Sequence, residues 1–305
     1  MTKRVLLTGA TGFIGRHAIP ELLSRGYEVH AISSRATNDE RGIFWHQADL
    51  MKPYECEMLL KNVAPSHLLH FAWYAEPGKF WDSEENFKWV EASIRLMRFF
   101  KAAGGERIVM AGTCAEYDWT QSGFYIENVD HCSPLTIYGV AKNSLRQLLK
   151  AYGEQFDISC AWGRVFFLYG PNEHPRRLLS SVIISLLQNR VMKCTHGNQR
   201  RDFLHVQDAA SAFVALLDSS IQGEVNISSG KAYQLREIIL VATNILNSGE
   251  LIQFGAIAPN ASDPSLVAGD NRRLSNEVGW TPFYKIEDGL LDTVNWWREK
   301  LAGVK

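Results

Sequence analysis

Residues 5–15 place a short apolar run directly before three glycines spaced three residues apart. Residues 5–8 have the length and composition of a strand buried on both faces, and the pattern after the last glycine is helical as far as about Arg25. Glycines in such a turn allow a tight bend and let backbone amides approach a pyrophosphate, while the helix N-terminus favours negative charge. The stretch therefore predicts a dinucleotide-binding turn.

Composition narrows the class of protein. With 305 residues and 46% hydrophobic content, the chain can bury one large core or two modest ones. The formal net charge of -1 gives no long-range field for collecting nucleic acid or an anionic membrane, so neither is expected as a partner. No apolar run approaches the roughly 18 residues that a membrane span needs, and a predicted strand starts where a signal segment would lie.

Cysteine usage indicates the compartment. Five cysteines are scattered along the chain, an odd number without the paired spacing of metal ligands. This pattern predicts reduced thiols in a cytoplasmic protein, with no disulfide and no metal site.

Apolar runs of strand length alternate with helix-length segments in the first half of the chain. Strands are predicted at residues 5–8, 27–32, 42–50, 67–73, 107–113 and 159–165, with helices between them that include 84–103 and a helix ending near 156. Alternation at this spacing implies a doubly wound parallel sheet that binds ligands at the carboxyl ends of its strands. We therefore predict a Rossmann-type α/β fold.

The alternation loosens after residues 169–171. Helices are predicted at 177–189, from about 207, at 235–246 and at 286–301, and residues 225–227 form a strand that is a candidate to rejoin the main sheet. The C-terminal part therefore predicts a smaller mixed α/β lobe. We expect a dinucleotide-binding domain at 1–167 plus about 200–230, and a substrate-binding lobe at 168–199 and 231–305.

The end of the second predicted strand bears on the choice of cofactor. In NAD sites an acidic residue about 20 positions after the glycines usually binds the adenosine ribose, but here the segment reads Ser33, Ser34 and Arg35. Two hydroxyls and a guanidinium can bind a 2′-phosphate that a carboxylate would repel, so the segment favours NADP. The alternative is that Arg35 is a solvated loop charge and that Asp39 or Glu40 reaches the ribose of NAD.

The ends of the third and fourth predicted strands lie at the same edge of the sheet. Asp49, followed by Leu50, could accept a hydrogen bond from the adenine amino group, or it could cap the next helix. The fourth strand ends in Phe71, Ala72 and Trp73. Because ligands bind at the carboxyl ends of parallel strands, we expect the cofactor to lie against both ends.

Tyr138 and Lys142 are four residues apart in a predicted helix, so their side chains lie on one face. A free tyrosine, with a pKa of about 10, exchanges protons poorly at neutral pH, and a neighbouring ammonium favours the phenolate. Thr113 ends the fifth predicted strand, where its hydroxyl could hold a substrate oxygen beside Tyr138. Elsewhere such a pair is usually a solvated face, but within a dinucleotide fold the three residues predict a catalytic group.

Six motifs follow one another along almost the whole chain: Gly9-x-x-Gly12-x-x-Gly15, Thr113, Tyr138-x-x-x-Lys142, Tyr169-Gly170-Pro171, Arg201-Asp202-Phe203 and Gly279-Trp280-x-Pro282. In this order and spacing the chain resembles the extended short-chain dehydrogenase/reductase family, the NAD(P)-dependent epimerases, dehydratases and reductases of nucleotide sugars. The resemblance implies that Tyr138 is the general acid/base, that Lys142 binds the nicotinamide ribose and that Thr113 binds the reacting oxygen. It also implies that Arg201 binds the substrate diphosphate; the alternative is a surface network with Asp202.

Departures from the family pattern narrow the reaction. In the family's 4,6-dehydratases the threonine is followed by an Asp and a Glu that remove water, whereas Thr113 is followed by Cys114 and Ala115. Glu116 comes one position later, which at a strand end turns its side chain to the other face. Dehydration is therefore disfavoured. Phe167 stands where the family usually carries an asparagine, which argues against the usual substrate contact at that position.

The predicted contacts come from the strand ends and the catalytic helix. Cofactor contacts are expected from Gly9, Thr11, Gly12, Phe13, Ile14, Gly15, Ser33, Ser34, Arg35, Asp49, Leu50, Phe71, Ala72, Trp73, Tyr138 and Lys142. Substrate contacts are expected from Thr113, Cys114, Phe167 and Arg201.

NADPH-dependent reduction of the keto group of a nucleotide-linked 4-keto-6-deoxy sugar, with Tyr138 as general acid, is the predicted reaction. The 6-deoxy assignment comes from the family alone. The alternatives are a nucleotide-sugar 4-epimerase with tightly bound NAD and a non-catalytic NAD(P)-sensing regulatory protein, a class that typically lacks the Tyr/Lys pair. The family further implies a homodimer packed through the helices near residues 84–103 and 138–156.

Overall fold

A computed structural model of the chain describes residues 3–35, 37, 42–260 and 262–303. Its strands are β1 (Arg4–Thr8), β2 (Glu28–Ser33), β3 (Ile43–Gln47), β4 (His67–His70), β5 (Arg107–Thr113), β6 (Gly123–Tyr125), β7 (Ser159–Val165), β8 (Phe167–Tyr169), β9 (Met192–Lys193), β10 (Arg200–Arg201), β11 (Phe203–His205), β12 (Gly223–Ile227), β13 (Tyr233–Gln234), β14 (Ile252–Gln253) and β15 (Leu266–Gly269). Its helices are α1 (Gly15–Ser24), α2 (Pro53–Val63), α3 (Glu85–Ala102), α4 (Ile137–Phe156), α5 (Leu178–Leu187), α6 (Val206–Asp218), α7 (Leu235–Leu246), α8 (Arg272–Asn276) and α9 (Ile286–Ala302).

The main sheet has seven strands in the order β12-β7-β5-β4-β1-β2-β3. Every neighbouring pair in it is parallel, so all of the carboxyl ends meet at one edge. The prediction of a Rossmann-type α/β fold is confirmed, and the strand at 225–227 rejoins the main sheet as β12. Chain order runs one way from β1 to β3 and the other way from β4 to β12, which makes the β1–β4 boundary the switch point where such sheets bind ligands.

Two apolar cores lie on the two faces of this sheet because neighbouring residues of a strand point to opposite sides. Val5 and Leu7 of β1 face α1 and α6, whereas Leu6 faces α2, α3 and α4. All three side chains are fully buried. Strands covered on both faces read as continuous apolar runs, which is why their positions follow from the sequence.

The C-terminal elements, together with β6 from the first half of the chain, form smaller sheets beside the main one. Strands β13, β10, β15 and β6 make a four-stranded sheet, and β8 pairs with β11. Helices α5, α7 and α9 pack together through apolar contacts that include Ile183, Ala242 and Val294. The proposed domain boundaries at residues 167, 200 and 230 stay a prediction. None of the described helices is long and apolar enough to cross a membrane.

The fourth strand is shorter than its sequence pattern predicts. It ends at His70, and Phe71, Ala72 and Trp73 belong to the following loop. The chain leaves the sheet here because the Ala72 N–H donates a hydrogen bond to the Thr8 hydroxyl (3.2 Å) rather than continuing the ladder. This turn brings the loop against the glycines that follow β1.

The glycine turn is packed too closely for side chains. Gly9 has a φ of +67°, and a Cβ there would lie 2.8 Å from the Ala72 nitrogen. A Cβ on Gly15 would lie 2.2 Å from the Gly9 carbonyl oxygen. Since both neighbours are backbone atoms of the turn itself or of the β4 loop, neither clash can be relieved by a rotamer change.

Gly15→Ala is therefore expected to lower the free energy of unfolding by about 1–3 kcal/mol or more, since the inserted methyl forces the turn apart. Gly249→Ala is the matched control, because a Cβ at that position meets no atom within 4 Å. Urea denaturation measures both. Equal stability of the two variants would show that the turn relaxes freely and would contradict this account of the glycines.

A buried carboxyl holds the segment after β8 against the C-terminal helices. Glu173 is 6% exposed and accepts a hydrogen bond from the Ser180 hydroxyl of α5 (2.6 Å). The same hydroxyl accepts one from the Trp297 indole of α9 (3.2 Å). Burial raises the pKa of Glu173 from its ordinary 4.5 to about 7, against the hydrogen bond from Ser180 and the charge of Arg177.

A carboxyl whose pKa is higher in the folded protein contributes stability below its ordinary pKa of 4.5, and that contribution is lost as the pH rises to about 7. Glu173→Gln carries no charge at any pH. Its free energy of unfolding is therefore expected to exceed that of the wild type by about 1–3 kcal/mol above about pH 7, and the two proteins should become equally stable below about pH 4.5. Urea denaturation between pH 4 and pH 8 tests this, with exposed Glu299→Gln as control. A pH-independent difference would refute the linkage.

Candidate active site

The glycine turn and the β4 loop form one wall at the switch point of the sheet. Thr8 and His70, at the ends of β1 and β4, are joined by a buried hydrogen bond between the hydroxyl and the imidazole Nδ1 (2.7 Å). Thr11 and Gly12 are exposed above this wall, and Phe13 is half-buried. Open backbone at a helix N-terminus fits the pyrophosphate of a dinucleotide, so these residues have the arrangement that such a cofactor requires.

Arg16, which sequence reasoning did not single out, braces the glycine turn. Its guanidinium donates hydrogen bonds to the Thr11 carbonyl (2.5 Å) and the Asn172 side chain (2.5 Å), and its Nε donates to the Gly12 carbonyl (3.1 Å). The neighbouring His17 contacts the Pro171 carbonyl (3.1 Å). The position of Arg16 directly after Gly15 was the one sequence signal for this role. Its partner Asn172 lies 156 residues away, so the contact cannot be read from local sequence.

The segment after β2 has one buried and two exposed members. Ser33 is 7% exposed, and its hydroxyl accepts a hydrogen bond from the Arg35 amide (3.1 Å). Ser34 and Arg35 are exposed at the strand end, where a ligand could meet them. The competing residues Asp39 and Glu40 lie outside the described part of the chain.

Asp49 closes a turn ahead of α2. Its carboxylate accepts a hydrogen bond from the Met51 amide (2.9 Å), while α2 begins at Pro53 with Lys52 as its N-cap. The alternative that Asp49 caps this helix is therefore wrong, because the turn places two residues between Asp49 and the cap. Leu50 is buried beside it. An adenine contact at Asp49 stays a prediction.

The three predicted catalytic residues come together at one end of the sheet. Thr113 ends β5, and Tyr138 and Lys142 occupy the first two turns of α4, whose N-terminus is capped by the Thr136 hydroxyl (3.2 Å to the Gly139 nitrogen). The Thr113 hydroxyl lies close enough to the Tyr138 phenol to act on its pKa as a hydrogen-bonding neighbour. A substrate oxygen placed between these two hydroxyls would meet both.

Aromatic rings of the loop before α3 enclose Tyr138. The Phe80 and Trp81 rings lie edge-on to it, at centroid distances of 4.8 and 5.7 Å. The Tyr138 amide also donates a hydrogen bond to the Trp81 carbonyl (2.8 Å). The guanidinium carbon of Arg177 lies 5.3 Å from the Phe80 ring centroid. The surroundings of the phenol are therefore mostly apolar.

Lys142 is 4% exposed and points into the protein. Its ammonium donates a hydrogen bond to the Ala111 carbonyl (2.8 Å) and lies 3.7 Å from the centroid of the Trp73 indole. Burial lowers the pKa of Lys142 from its ordinary 10.5 to about 7, against the charge of Glu116. The ammonium is thus held by a carbonyl and an aromatic face.

That Lys142 favours the Tyr138 phenolate stays a prediction, because its ammonium contacts other groups in this structure. Burial is the main influence on the phenol and raises its pKa above the ordinary 10, while the hydrogen bond from Thr113 and the charge of Arg177 act in the opposite direction. The Lys142 ammonium does not offset this burial because it is turned towards Ala111 and Trp73.

Residues Cys114–Glu116 form a turn of 3₁₀ helix, so strand alternation does not decide their directions. Glu116 is fully buried, and its carboxylate accepts hydrogen bonds from the Thr113 amide (2.8 Å), the Trp162 indole (2.9 Å) and the Arg164 Nε (2.8 Å). Burial raises the pKa of Cys114 to about 12. The turn therefore offers no free acid or base directly after Thr113.

Arg201 is also buried, at 5% exposure. Its guanidinium pairs with the Asp263 carboxylate (2.5 Å) and donates to the Pro264 carbonyl (2.9 Å), while Phe167 lies beside it with its ring centroid 5.5 Å away. The alternative of a surface network with Asp202 is wrong, because Asp202 is fully buried and accepts hydrogen bonds from backbone amides of residues 229, 230 and 269. Sequence reasoning did not identify Asp263 as the partner of Arg201, because the two residues are 62 positions apart and no local sequence pattern connects them.

Within the described residues, no group of three or more His, Cys, Asp or Glu side chains is arranged to hold a metal ion. A small cavity of about 20 Å³ lies beside the N-terminus of α4. Its lining is mainly apolar and consists of Trp81, Ala115, Tyr117, Trp119, Leu135 and Thr136.

Proteins of named activity are similar to this chain in sequence. UDP-glucuronic acid decarboxylase 1 of Xenopus tropicalis is 26% identical over 311 residues, covering 98% of this chain and 73% of that protein. CDP-abequose synthase of Salmonella muenchen is 23% identical over 295 residues, covering 95% and 96%.

A solved structure of MoeE5 in complex with UDP-glucuronic acid and NAD superposes with a TM-score of 0.84 at 27% identity, covering 98% of this chain and 99% of MoeE5. The family model described as the NAD dependent epimerase/dehydratase family matches residues 5–228, which include the glycine turn and all three predicted catalytic residues. The chain therefore belongs to the NAD dependent epimerase/dehydratase family.

Proposed function

We propose that this protein reduces the keto group of a nucleotide-linked 4-keto-6-deoxy sugar, using NADPH as the hydride donor. The end of β2 carries the proposal: Ser34 and Arg35 are exposed there, where the 2′-phosphate of NADP could meet them. A reductase consumes NADPH and releases NADP in every turnover, whereas a 4-epimerase returns its NAD unchanged. Tyr138 is the proposed acid that protonates the new alkoxide.

In this mechanism Thr113 and Tyr138 hydrogen-bond the C4 oxygen of the sugar. As that oxygen gains negative charge, Tyr138 donates its phenolic proton and Thr113 stabilises the remaining charge through its hydroxyl. Lys142 would contact the nicotinamide ribose, fixing the cofactor beside the ketone. Much of the rate acceleration would come from this positioning.

The groups that surround the Tyr138 phenol support a sugar substrate that lacks a hydroxyl at C6. A substituent on the carbon next to C4 must lie within a few ångströms of the reacting oxygen. The polar groups nearby are already bonded within the protein: the Trp119 indole donates to the Cys114 carbonyl (2.9 Å), and the Trp81 carbonyl accepts from Tyr138. The neighbouring cavity of about 20 Å³ has room for one small group such as a methyl.

Arg201 remains the proposed contact for the diphosphate. A guanidinium can bind phosphate oxygens in bidentate fashion, and the Phe167 ring beside Arg201 keeps the site partly dry. Asp263 occupies part of this guanidinium in the structure, so the diphosphate would have to share or displace that partner.

The 4-epimerase with tightly bound NAD is the second candidate. The NAD in the MoeE5 complex favours it, and exposed Ser34 and Arg35 favour NADP instead. A non-catalytic NAD(P)-sensing role is the third candidate, and the assembled Thr113, Tyr138 and Lys142 argue against it because sensing needs no proton donor.

A homodimer is proposed through α3 and α4, and a cytoplasmic location is proposed from the five free cysteines. Both helices carry exposed apolar side chains, among them Phe87 at 60%, Leu148 at 46% and Phe156 at 50% exposure. Apolar faces of this kind are buried in oligomers more often than they are left in water.

Tyr138→Phe removes the proposed acid while keeping the ring. We expect kcat for NADPH-dependent reduction of a panel of nucleotide-linked 4-keto-6-deoxyhexoses to fall about 100- to 10,000-fold, with cofactor binding nearly unchanged. NADPH absorbance measures the rate, and exposed Tyr54→Phe is the control. No turnover of the panel by the wild type, together with NAD-dependent interconversion of nucleotide hexoses, would replace the reductase with the epimerase.

Arg35→Ala tests the cofactor preference. If Arg35 binds the 2′-phosphate, the ratio of kcat/KM for NADPH to that for NADH should fall about 10- to 100-fold, because one charge-assisted hydrogen bond is lost. Exposed Arg298→Ala removes a cation far from the strand ends and should leave the ratio unchanged. An unaltered ratio in Arg35→Ala would exclude the phosphate contact.

A further inference from the structure

We propose that Trp73 is a positioning residue that holds the Lys142 ammonium at the site through the face of its indole ring. The ammonium nitrogen lies 3.7 Å from the ring centroid, well within the range of a cation–π contact. The inference rests on the proposed role of Lys142 at the cofactor, and it holds for a reductase or an epimerase alike.

The surroundings of Lys142 explain why it needs this partner. An ammonium has three donors, and within the described residues the hydrogen bond recorded for this side chain goes to the Ala111 carbonyl (2.8 Å). Glu116 acts on it only through charge, since that carboxylate is bonded to Thr113, Trp162 and Arg164. The indole face adds a close attraction to those from the Ala111 carbonyl and the Glu116 charge.

Two other groups face the ammonium. His70 of β4 is buried, and this burial, with a smaller contribution from the charge of Lys142, lowers its pKa to about 3, so it is neutral and offers no charge. The Trp162 ring centroid is 6.0 Å from the ammonium, at the limit of a cation–π contact. Of the two tryptophan rings, Trp73 is therefore the one in close contact with the Lys142 ammonium.

The orientation of Trp73 is itself fixed. Its indole N–H donates a hydrogen bond to the Asn86 side chain (2.9 Å), and Asn86 is fully buried. The amide nitrogen of Asn86 donates in turn to the carbonyls of Phe80 (2.7 Å) and Ser83 (2.8 Å). Because Phe80 packs on Tyr138, one short network sets the positions of both proposed catalytic side chains.

The first test uses the protein with ¹³C-labelled lysine, and the Lys142 signal is assigned by Lys142→Arg. We expect an upfield ring-current shift in the wild type, its loss in Trp73→Leu and its retention in Trp73→Phe, which keeps an aromatic face. Trp296→Leu is the matched control, because Lys300 lies over the Trp296 ring of α9, 5.6 Å from its centroid. It should move the Lys300 signal alone. A Lys142 signal in Trp73→Leu that matches the wild type would overturn the proposal.

Activity gives the second readout. Trp73→Leu should lower kcat at least 10-fold at pH 7, Trp73→Phe should recover most of it, and Trp296→Leu should leave it unchanged. Equal loss in the Leu and Phe variants would overturn the positioning role. The spectroscopic result needs no substrate, so a protein that reduces no sugar but shows the shift would refute the proposed reaction and keep this inference.

Fluorinated tryptophan covers the case in which Trp73→Leu does not fold. Fluorine withdraws charge from the ring face and changes its shape little, so the ammonium is stabilised less as fluorine atoms are added. The titration midpoint of Lys142 should therefore fall stepwise with fluorination, followed through the same ¹³C signal. A midpoint that does not change across the series would contradict the contact.

Discussion

The close approach of two backbones at the switch point of the sheet is the constraint on which this site depends. Gly9 and Ala72 meet where a Cβ would have no room, and the buried hydrogen bond between Thr8 and His70 ties the ends of β1 and β4 together. Thr113 ends β5, the next strand beyond β4. The sheet thus places the glycine turn and Thr113, the proposed contact of the substrate oxygen, two strands apart on one edge.

The local sequence pattern predicts those strands and helix faces that are determined by residues close together in the chain. The bounds of β5 and β7 follow to the residue from largely apolar runs, because a strand buried on both faces is mostly apolar even where it carries a buried arginine such as Arg107 or Arg164. The helical spacing of Tyr138 and Lys142 likewise predicts a shared face. The two-residue strands β9, β10, β13 and β14 have no such signal, because tertiary pairing alone defines them.

Long-range partners decide the rest of the site, and sequence spacing does not reveal them. Lys142 is four residues from Tyr138, yet its ammonium turns to Ala111 and Trp73 on other elements. Arg201 pairs with Asp263 rather than with its neighbour Asp202. In each case burial forces a charged group to find a partner, and the partner is whichever group the fold brings near.

Arg16 and His17 carry a consequence for motion. Through Asn172 and the Pro171 carbonyl they bind the glycine turn to the segment that leads into α5. A displacement of that segment would therefore pull on the backbone amides of the turn. The glycine turn and this segment are therefore coupled, and a variant that breaks the Arg16–Asn172 hydrogen bond would let each move without the other.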